Sequence, residues 1–328
     1  MPVITNNADL RRLAQRRVPR AIFDYVDRGS YEETTLRANT ADLDAIKLRQ
    51  RVMIDVDRRS LATELVGEPA AMPVAIAPTG LTGIMHGNGE VLAARAAEQF
   101  GIPFTLSTMS ICSIEDVRVA TTRPFWFQLY VMRDRGFAAS LIERAIAAQC
   151  SALVLTADLQ IQGQRHRDLK NGLAVPPRLT LANLFDIATK PAWLWRLLRS
   201  RRTNFGNLAG FIPDSDSLST LSQWIATQFD PTLSWSDVAW VRELWPGKLI
   251  IKGILDPEDA RLAVRAGADA IVVSNHGGRQ LDGAPSSIAA LPAVVEAVGG
   301  TTQVLFDGGI RSGQDIVKAL AFGAEGVM

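Results

Sequence analysis

Residues 265–282 read RAGADAIVVSNHGGRQLD, and the character of the chain changes twice within them. A helical period ends at Gly267 and passes through small residues into the apolar run Ala270–Val273. That run ends on Ser274, Asn275 and His276, followed by two glycines and Arg279. The first change is a helix C-cap, since glycine takes the left-handed conformation that lets a helix give way to a strand. The second is the carboxyl end of that strand. The same joint recurs at 321–328, AFGAEGVM, and a repeated helix–glycine–strand joint marks a chain of alternating β and α units.

Further apolar runs extend the pattern outward: MPVAIAP (72–78), PFTLST (103–108), FWFQLY (125–130), ALVLTAD (152–158), LIIKGI (249–254) and VLFDGG (304–309). With AIVVSNH and the terminal GVM they make eight. Most are continuously apolar, as strands covered on both faces of a parallel sheet are. Between them lie helical periods such as EVLAARAAEQF (90–100), FAASLIERAIAAQ (137–149), PEDARLAVRAG (257–267) and GQDIVKALAFG (313–323). Eight such units over about 250 residues predict an α/β fold, a (β/α)8 TIM barrel. Residues 1–70 precede the first barrel strand and read as a helical cap. The barrel is expected over 71–328 as part of one domain, with a long insertion after strand 4 that fills the span 173–233.

Composition narrows the function classes. The chain has 328 residues, a formal net charge of +1, 47% hydrophobic and 21% charged residues, which is ordinary for a globular domain. Neither the charge nor any basic run interleaved with aromatics suits nucleic acid. Cys112 and Cys150 lack a C-x-x-C partner, so neither a zinc site nor a disulfide framework is expected, and the compartment reads as reducing and cytoplasmic. The most apolar stretch, AAMPVAIAPTGLTGIM, is broken by two prolines and two glycines and reads as core.

In such a barrel the active site lies at the carboxyl ends of the strands, so the residues to inspect follow from the strand assignment. They are Pro78-Thr79-Gly80, Ser107, Gln128 with Tyr130, Thr156 and Asp158 with Arg165 beyond, Lys252, Ser274 to His276 with Arg279 beyond, and Asp307-Gly308-Gly309 with Arg311. Singly each is a strand-end cap. Jointly, hydroxyls and an amide suit the edge of a heteroaromatic ring, and Lys252 offers a charge to a ring that becomes negative on reduction. The DGGIRSG turn suits a phosphate, and no G-x-G-x-x-G follows a strand, so FMN fits better than FAD or NAD. Of three histidines, His86, His166 and His276, only the last ends a strand, and Gly277 and Gly278 give the backbone there room to approach a ligand.

FDYVDRGS, FTLSTMSICSIEDV, WFQLYVMRDRGF, IKGILDPEDA and SNHGGRQLDG together resemble the FMN-dependent α-hydroxy acid dehydrogenases and oxidases, and among them the bacterial respiratory L-lactate dehydrogenases. The resemblance runs from Ile22 to the last residue. It implies that His276 is the active-site base, that Asp158 orients and charges it, and that Arg279 clamps the substrate carboxylate with Arg165 assisting. Tyr25 and Tyr130 would hydrogen-bond the substrate. The flavin would contact Pro78, Thr79, Gly80, Ser107, Gln128, Thr156, Lys252, Ser274, Asp307, Gly308, Gly309 and Arg311.

The activity so implied is oxidation of a small L-2-hydroxy acid, with L-lactate first, passing electrons to a membrane quinone or cytochrome. The alternatives are a dioxygen-using oxidase, a mandelate or glycolate dehydrogenase, or a flavin-binding barrel without catalysis. Gly80 favours the dehydrogenase, because oxidases of this kind more often carry alanine there. A homo-oligomer, by resemblance a tetramer, is implied as well. Two departures stand out: Ala157 replaces a frequent valine, and the chain stops inside the eighth strand, where relatives continue.

Two expectations concern the surface and the end. Residues 190–205 hold five basic and no acidic residues up to Arg202, with Trp193, Leu194, Trp195, Leu197 and Leu198 among them, a pattern suited to an anionic membrane surface on the inner face of the cell membrane. Packing against the barrel is the competing reading. The short eighth strand leads to the expectation of a fragment whose first and seventh strands lack a full partner, and which therefore binds FMN poorly.

Overall fold

Side chains alternate along each strand, and in a closed barrel this divides them between the lumen and the helices outside. The computed structural model describes residues 3–173, 180–209, 211, 224 and 227–328. An antiparallel hairpin of β1 (Thr63–Leu65) and β2 (Glu68–Ala70) precedes a parallel sheet in chain order. That sheet runs β3 (Thr105–Ser107), β4 (Trp126–Leu129), β5 (Ala152–Thr156), β6 (Lys248–Ile254), β7 (Ala270–Val273), β8 (Gln303–Phe306) and β9 (Gly326–Val327).

Segment 73–76 supplies the remaining stave. Ala75 donates its N–H to the Val327 carbonyl at 2.8 Å and Val327 donates to Pro73 at 2.9 Å, while on the other side Ile76 bonds Pro103 and Thr105 bonds Ile76. The ring is therefore closed, and this corrects the expectation of unpaired first and seventh strands. A two-residue strand suffices because it bonds β8 on one edge and segment 73–75 on the other.

Trp126, Ala152, Val154, Ile250, Ala270, Val272 and Leu305 point inward and pack with Ala75, Leu65, Val66 and Ala70. The hairpin thus stoppers the amino end of the barrel, and Trp126 Nε1 donates to Glu68 Oε1 at 2.8 Å. Each fully buried Val, Leu or Ile contributes roughly 1.5–3 kcal/mol. The residues between them, such as Phe127, Leu153, Leu155, Ile251, Ile271 and Phe306, face the helices. Carrying the inward alternation one step further puts Ser107, Gln128, Thr156, Lys252, Ser274 and Asp307 inside at the carboxyl end. Register levels them: Ser107 pairs with Gln128, and Thr156 with Lys252.

The surrounding helices begin and end where their caps dictate. Asp256 accepts from Glu258 N to start Pro257–Arg265, and Ser312 accepts from Asp315 N to start Gly313–Ala321. The cap region holds helices Asn7–Arg17, Arg20–Asp27 and Thr34–Ala45. His166–Lys170 precedes the insertion, which contributes Leu181–Ala188 and Pro191–Leu198, with part of it outside the described residues.

Candidate active site

The inward alternation leaves a cavity of about 400 Å³ at the carboxyl mouth of the barrel, a size that suits a cofactor with a small substrate. Its lining includes Tyr25, Pro78, Thr79, Gly80, Ser107, Tyr130, Thr156, Arg165, Lys252, His276, Arg279, Asp307, Gly308, Gly309 and Arg311. Gln128, Ser274 and Asp158 stand one layer behind. Gln128 Oε1 accepts from Ser107 Oγ at 3.0 Å and its Nε2 donates to Thr156 Oγ1 at 3.0 Å, so it fixes two wall hydroxyls. Ser274 Oγ accepts from Lys252 Nζ at 2.7 Å and from His276 N at 3.0 Å.

Asp158 follows β5 and His276 follows β7, with β6 between them, and the two side chains meet across it, Nδ1 to Oδ1, at 2.8 Å. That contact leaves Nε2 as the free ring nitrogen. Burial pushes the Asp158 carboxyl up, but the His276 ring and then Lys252 outweigh it and hold the carboxyl below its usual range. The histidine sits at φ 58, a left-handed conformation that non-glycine residues adopt only where surroundings enforce it.

Of the two glycines after it, Gly277 lines the cavity as expected, whereas Gly278 serves a different purpose. A Cβ on Gly278 would lie 2.5 Å from the Leu36 backbone nitrogen, so this residue lets the cap helix Thr34–Ala45 close on the turn rather than admitting a ligand. Asn39 of that helix and Asn275 exchange hydrogen bonds of 2.8 and 2.7 Å, which locks the same junction.

Two guanidiniums converge on Tyr25, Arg165 at 4.8 Å and Arg279 at 5.2 Å from the ring centre. Arg279 spends one terminal nitrogen on the carbonyls of Tyr25 and Arg28, both at 2.7 Å. Part of its fork is thus committed to the protein. Burial and then Arg165 push its pKa below the usual arginine range. Lys252, 5% exposed, is not a lone charge either, for Nζ lies 2.6 Å from Asp307 Oδ2.

The sequence reading missed several supports. Gln280 donates to the carbonyls of Asp158 and Ile161 at 3.1 Å and so ties the two strand ends that carry the histidine and its carboxylate. Asn207 donates to the carbonyls of Ser107 and Thr108 from the insertion. Gln280 stands beside Arg279 in the quoted motif and was within reach; Asn207 has no local signal.

The arrangement suits FMN on its own chemistry. Asp307 Oδ1 is buried without a partner among the described residues and would accept from a sugar-alcohol hydroxyl, while Lys252 would face a ring that gains negative charge.

A family model described as FMN-dependent dehydrogenase matches residues 14–328. The chain belongs to the FMN-dependent dehydrogenases. Among relatives of this family, an L-lactate dehydrogenase of Pectobacterium atrosepticum is 52% identical over 99% of the chain and 84% of its own length. An L-lactate dehydrogenase of Acinetobacter baumannii is 50% identical over 99% and 85%. Among solved members, the monotopic membrane protein (S)-mandelate dehydrogenase superposes with a TM-score of 0.93 at 38% identity, covering 100% of this chain and 86% of that one. A mandelate oxidase superposes at 0.82 with 40% identity, over 99% and 85%.

Proposed function

We propose that this FMN-dependent dehydrogenase oxidises L-lactate to pyruvate and passes the electrons to an acceptor at a membrane surface. The observation that carries the reading is the His276–Asp158 pair at 2.8 Å, which shares one cavity with Arg165, Arg279 and Lys252. Pro78 to Gly80, Ser107, Thr156, Lys252 and Asp307 to Arg311 would hold FMN, with Gln128 and Ser274 fixing the wall from behind. FMN when bound supplies a two-electron acceptor.

The chain's own groups do the rest. Arg165 and Arg279 bind the carboxylate, the latter through the part of its fork that the backbone leaves free. Tyr130 keeps its proton, since burial pushes its pKa up, and serves with Tyr25 as a hydrogen-bond donor toward the substrate. His276 Nε2 takes one proton, and the buried Asp158 carboxylate stabilises the imidazolium that results. Whether the proton leaves the hydroxyl or the carbon, the same nitrogen receives it. The dehydrogenase reading at Gly80 rests on the family resemblance; a Cβ there would lie 3.2 Å from Met109 Cβ, so alanine would crowd the cavity wall.

A membrane acceptor draws support from the insertion. Helix Pro191–Leu198 is fastened by Trp193, whose Nε1 donates to the Ile84 carbonyl at 2.8 Å, and by Arg196 at His86. It turns outward Trp195, 57% exposed, and Leu198, 69% exposed, beside Arg199 and Arg201. One face thus packs on the barrel, and the exposed apolar and basic face supports the membrane reading. Phe185 and Leu181 of the preceding helix extend the apolar surface. Among the described residues no helix is long and apolar enough to cross a membrane. A homo-oligomer draws support from the strap 48–61, where Val52, Met53, Ile54, Val56 and Leu61 stand exposed.

The test is paired. Anaerobic flavin-loaded protein is given L-lactate or (S)-mandelate, and then reoxidised with air or a dye. Faster bleaching by lactate with little peroxide supports the proposal; preference for mandelate or rapid peroxide release overturns the substrate or the acceptor. Trp195→Ser with Leu198→Ser should release the protein from anionic vesicles while dye-linked turnover survives, and failure of the intact protein to sediment with vesicles at low salt contradicts the membrane reading.

A further inference from the structure

Asp168 belongs to no part of the chemistry above, yet it is buried beside it. Its Oδ2 lies 3.1 Å from Arg165 Nε, and its Oδ1 is buried without a partner among the described residues. Burial, the largest influence, pushes its pKa up despite Arg165 and Arg279. A buried carboxylate with an unmade hydrogen bond is costly and calls for a reason. Helix stability supplies none, since the segment His166–Lys170 is a single short turn.

The reason lies in the charge count around Tyr25. Arg165 and Arg279 flank its ring, and the carboxylate paired with Arg165 is Asp168; of the other nearby acids, Asp24 faces Arg20 at 3.7 Å and Asn171 at 2.9 Å, and Asp158 faces His276 at 2.8 Å. Two guanidiniums less one carboxylate leave a surplus of one positive charge. By holding Arg165 through Nε, Asp168 also aims the remaining nitrogens of that fork away from itself. We propose that Asp168 is a positioning and specificity-determining residue, which orients Arg165 and sets the cavity to accept a monocarboxylate while rejecting a dicarboxylate of the same length. Rejection by an unpaired charge is the usual means of such discrimination. This rests on the reading of the cavity as a hydroxy-acid site.

Propionate and malonate probe it, because they have three carbons each, neither is oxidised, and the second carboxylate of malonate takes the place of lactate's methyl group. Their dissociation constants are measured by calorimetry on FMN-loaded protein, at a pH where malonate is a dianion. The wild type should bind propionate in preference. Asp168→Asn keeps the shape and raises the surplus by one, so the malonate-to-propionate affinity ratio should rise at least ~10-fold, one unit of charge acting in a partly buried site. Arg165→Gln lowers the surplus by one and should move the ratio the other way, which keeps the test decisive if Asp168→Asn fails to fold. A ratio unchanged in either folded variant, with propionate still bound by the wild type, overturns the role of Asp168 alone. Failure of the wild type to bind propionate or malonate at all overturns the hydroxy-acid reading and this proposal together.

Discussion

Replacing Lys252 with methionine removes an ammonium from inside the barrel while keeping most of the side chain's length. The structure sets the cost. Nζ touches Asp307 Oδ2 at 2.6 Å and Ser274 Oγ at 2.7 Å, and side-chain exposure is 6% for Lys252 and 11% for Asp307. Water therefore screens the pair little. Asp307 Oδ1 already lacks a partner among the described residues, so without the ammonium little among them offsets the carboxylate's desolvation. Breaking a buried pair from one side costs about 3–5 kcal/mol, whereas replacing both members is often near neutral. Lys252→Met should lose that much in urea unfolding of flavin-depleted protein, where ligand linkage plays no part. Lys252→Met with Asp307→Leu should recover most of it, a coupling of at least ~2 kcal/mol. A single variant that loses under ~1 kcal/mol, or a strictly additive double variant, would refute the buried-pair account.

Other consequences follow from the same geometry. Gly278→Ala places a methyl 2.5 Å from the Leu36 backbone at φ +70, so it should cost about 1–3 kcal/mol and loosen the cap helix, read as faster proteolysis within residues 34–45; unchanged unfolding would contradict the packing. Burial and then the Glu90 carboxylate push the Cys112 thiol up to about 12, so iodoacetamide should leave it unlabelled in folded protein at mildly alkaline pH and label it once unfolded. The Arg144 guanidinium holds Glu115 down at about 2 against a usual 4.5. That stabilisation is present above the higher value and lost as pH falls toward the lower. It is modest because Glu115 is half exposed. Arg144→Gln should therefore flatten the acid side of the stability curve within that window, and parallel curves would show the pair contributes nothing.

The barrel was legible because its signals are local. The glycine joints at Gly267 and Gly323 and the apolar runs mark helix ends and buried strands wherever they occur, and the polar residue closing each run marks the cavity. What escaped depends on contacts between distant segments. The hairpin Thr63–Leu65 with Glu68–Ala70 is too short to carry a period, and only its packing beneath Trp126 gives it a role. Gly278 looked like a ligand's glycine because the sequence does not show that Leu36 lies against it. Lys252 looked like a free charge because its neutralising Asp307 comes from two strands away. The short eighth strand looked like an open edge, but Val327 bonds segment 73–75, at the opposite end of the barrel's sequence.

The central claim is that His276, held by Asp158 and lining the cavity read as the FMN pocket, takes a proton from a carboxylate-anchored L-2-hydroxy acid. The measurement that meets it most directly is anaerobic stopped-flow bleaching of the flavin band by L-lactate, in the wild type and in His276→Ala loaded with equal FMN. The account predicts rapid bleaching in the first and a rate lower by at least ~10²-fold in the second. Bleaching at near-equal rates with equal flavin, or a wild-type colour that L-lactate leaves unchanged, would contradict it.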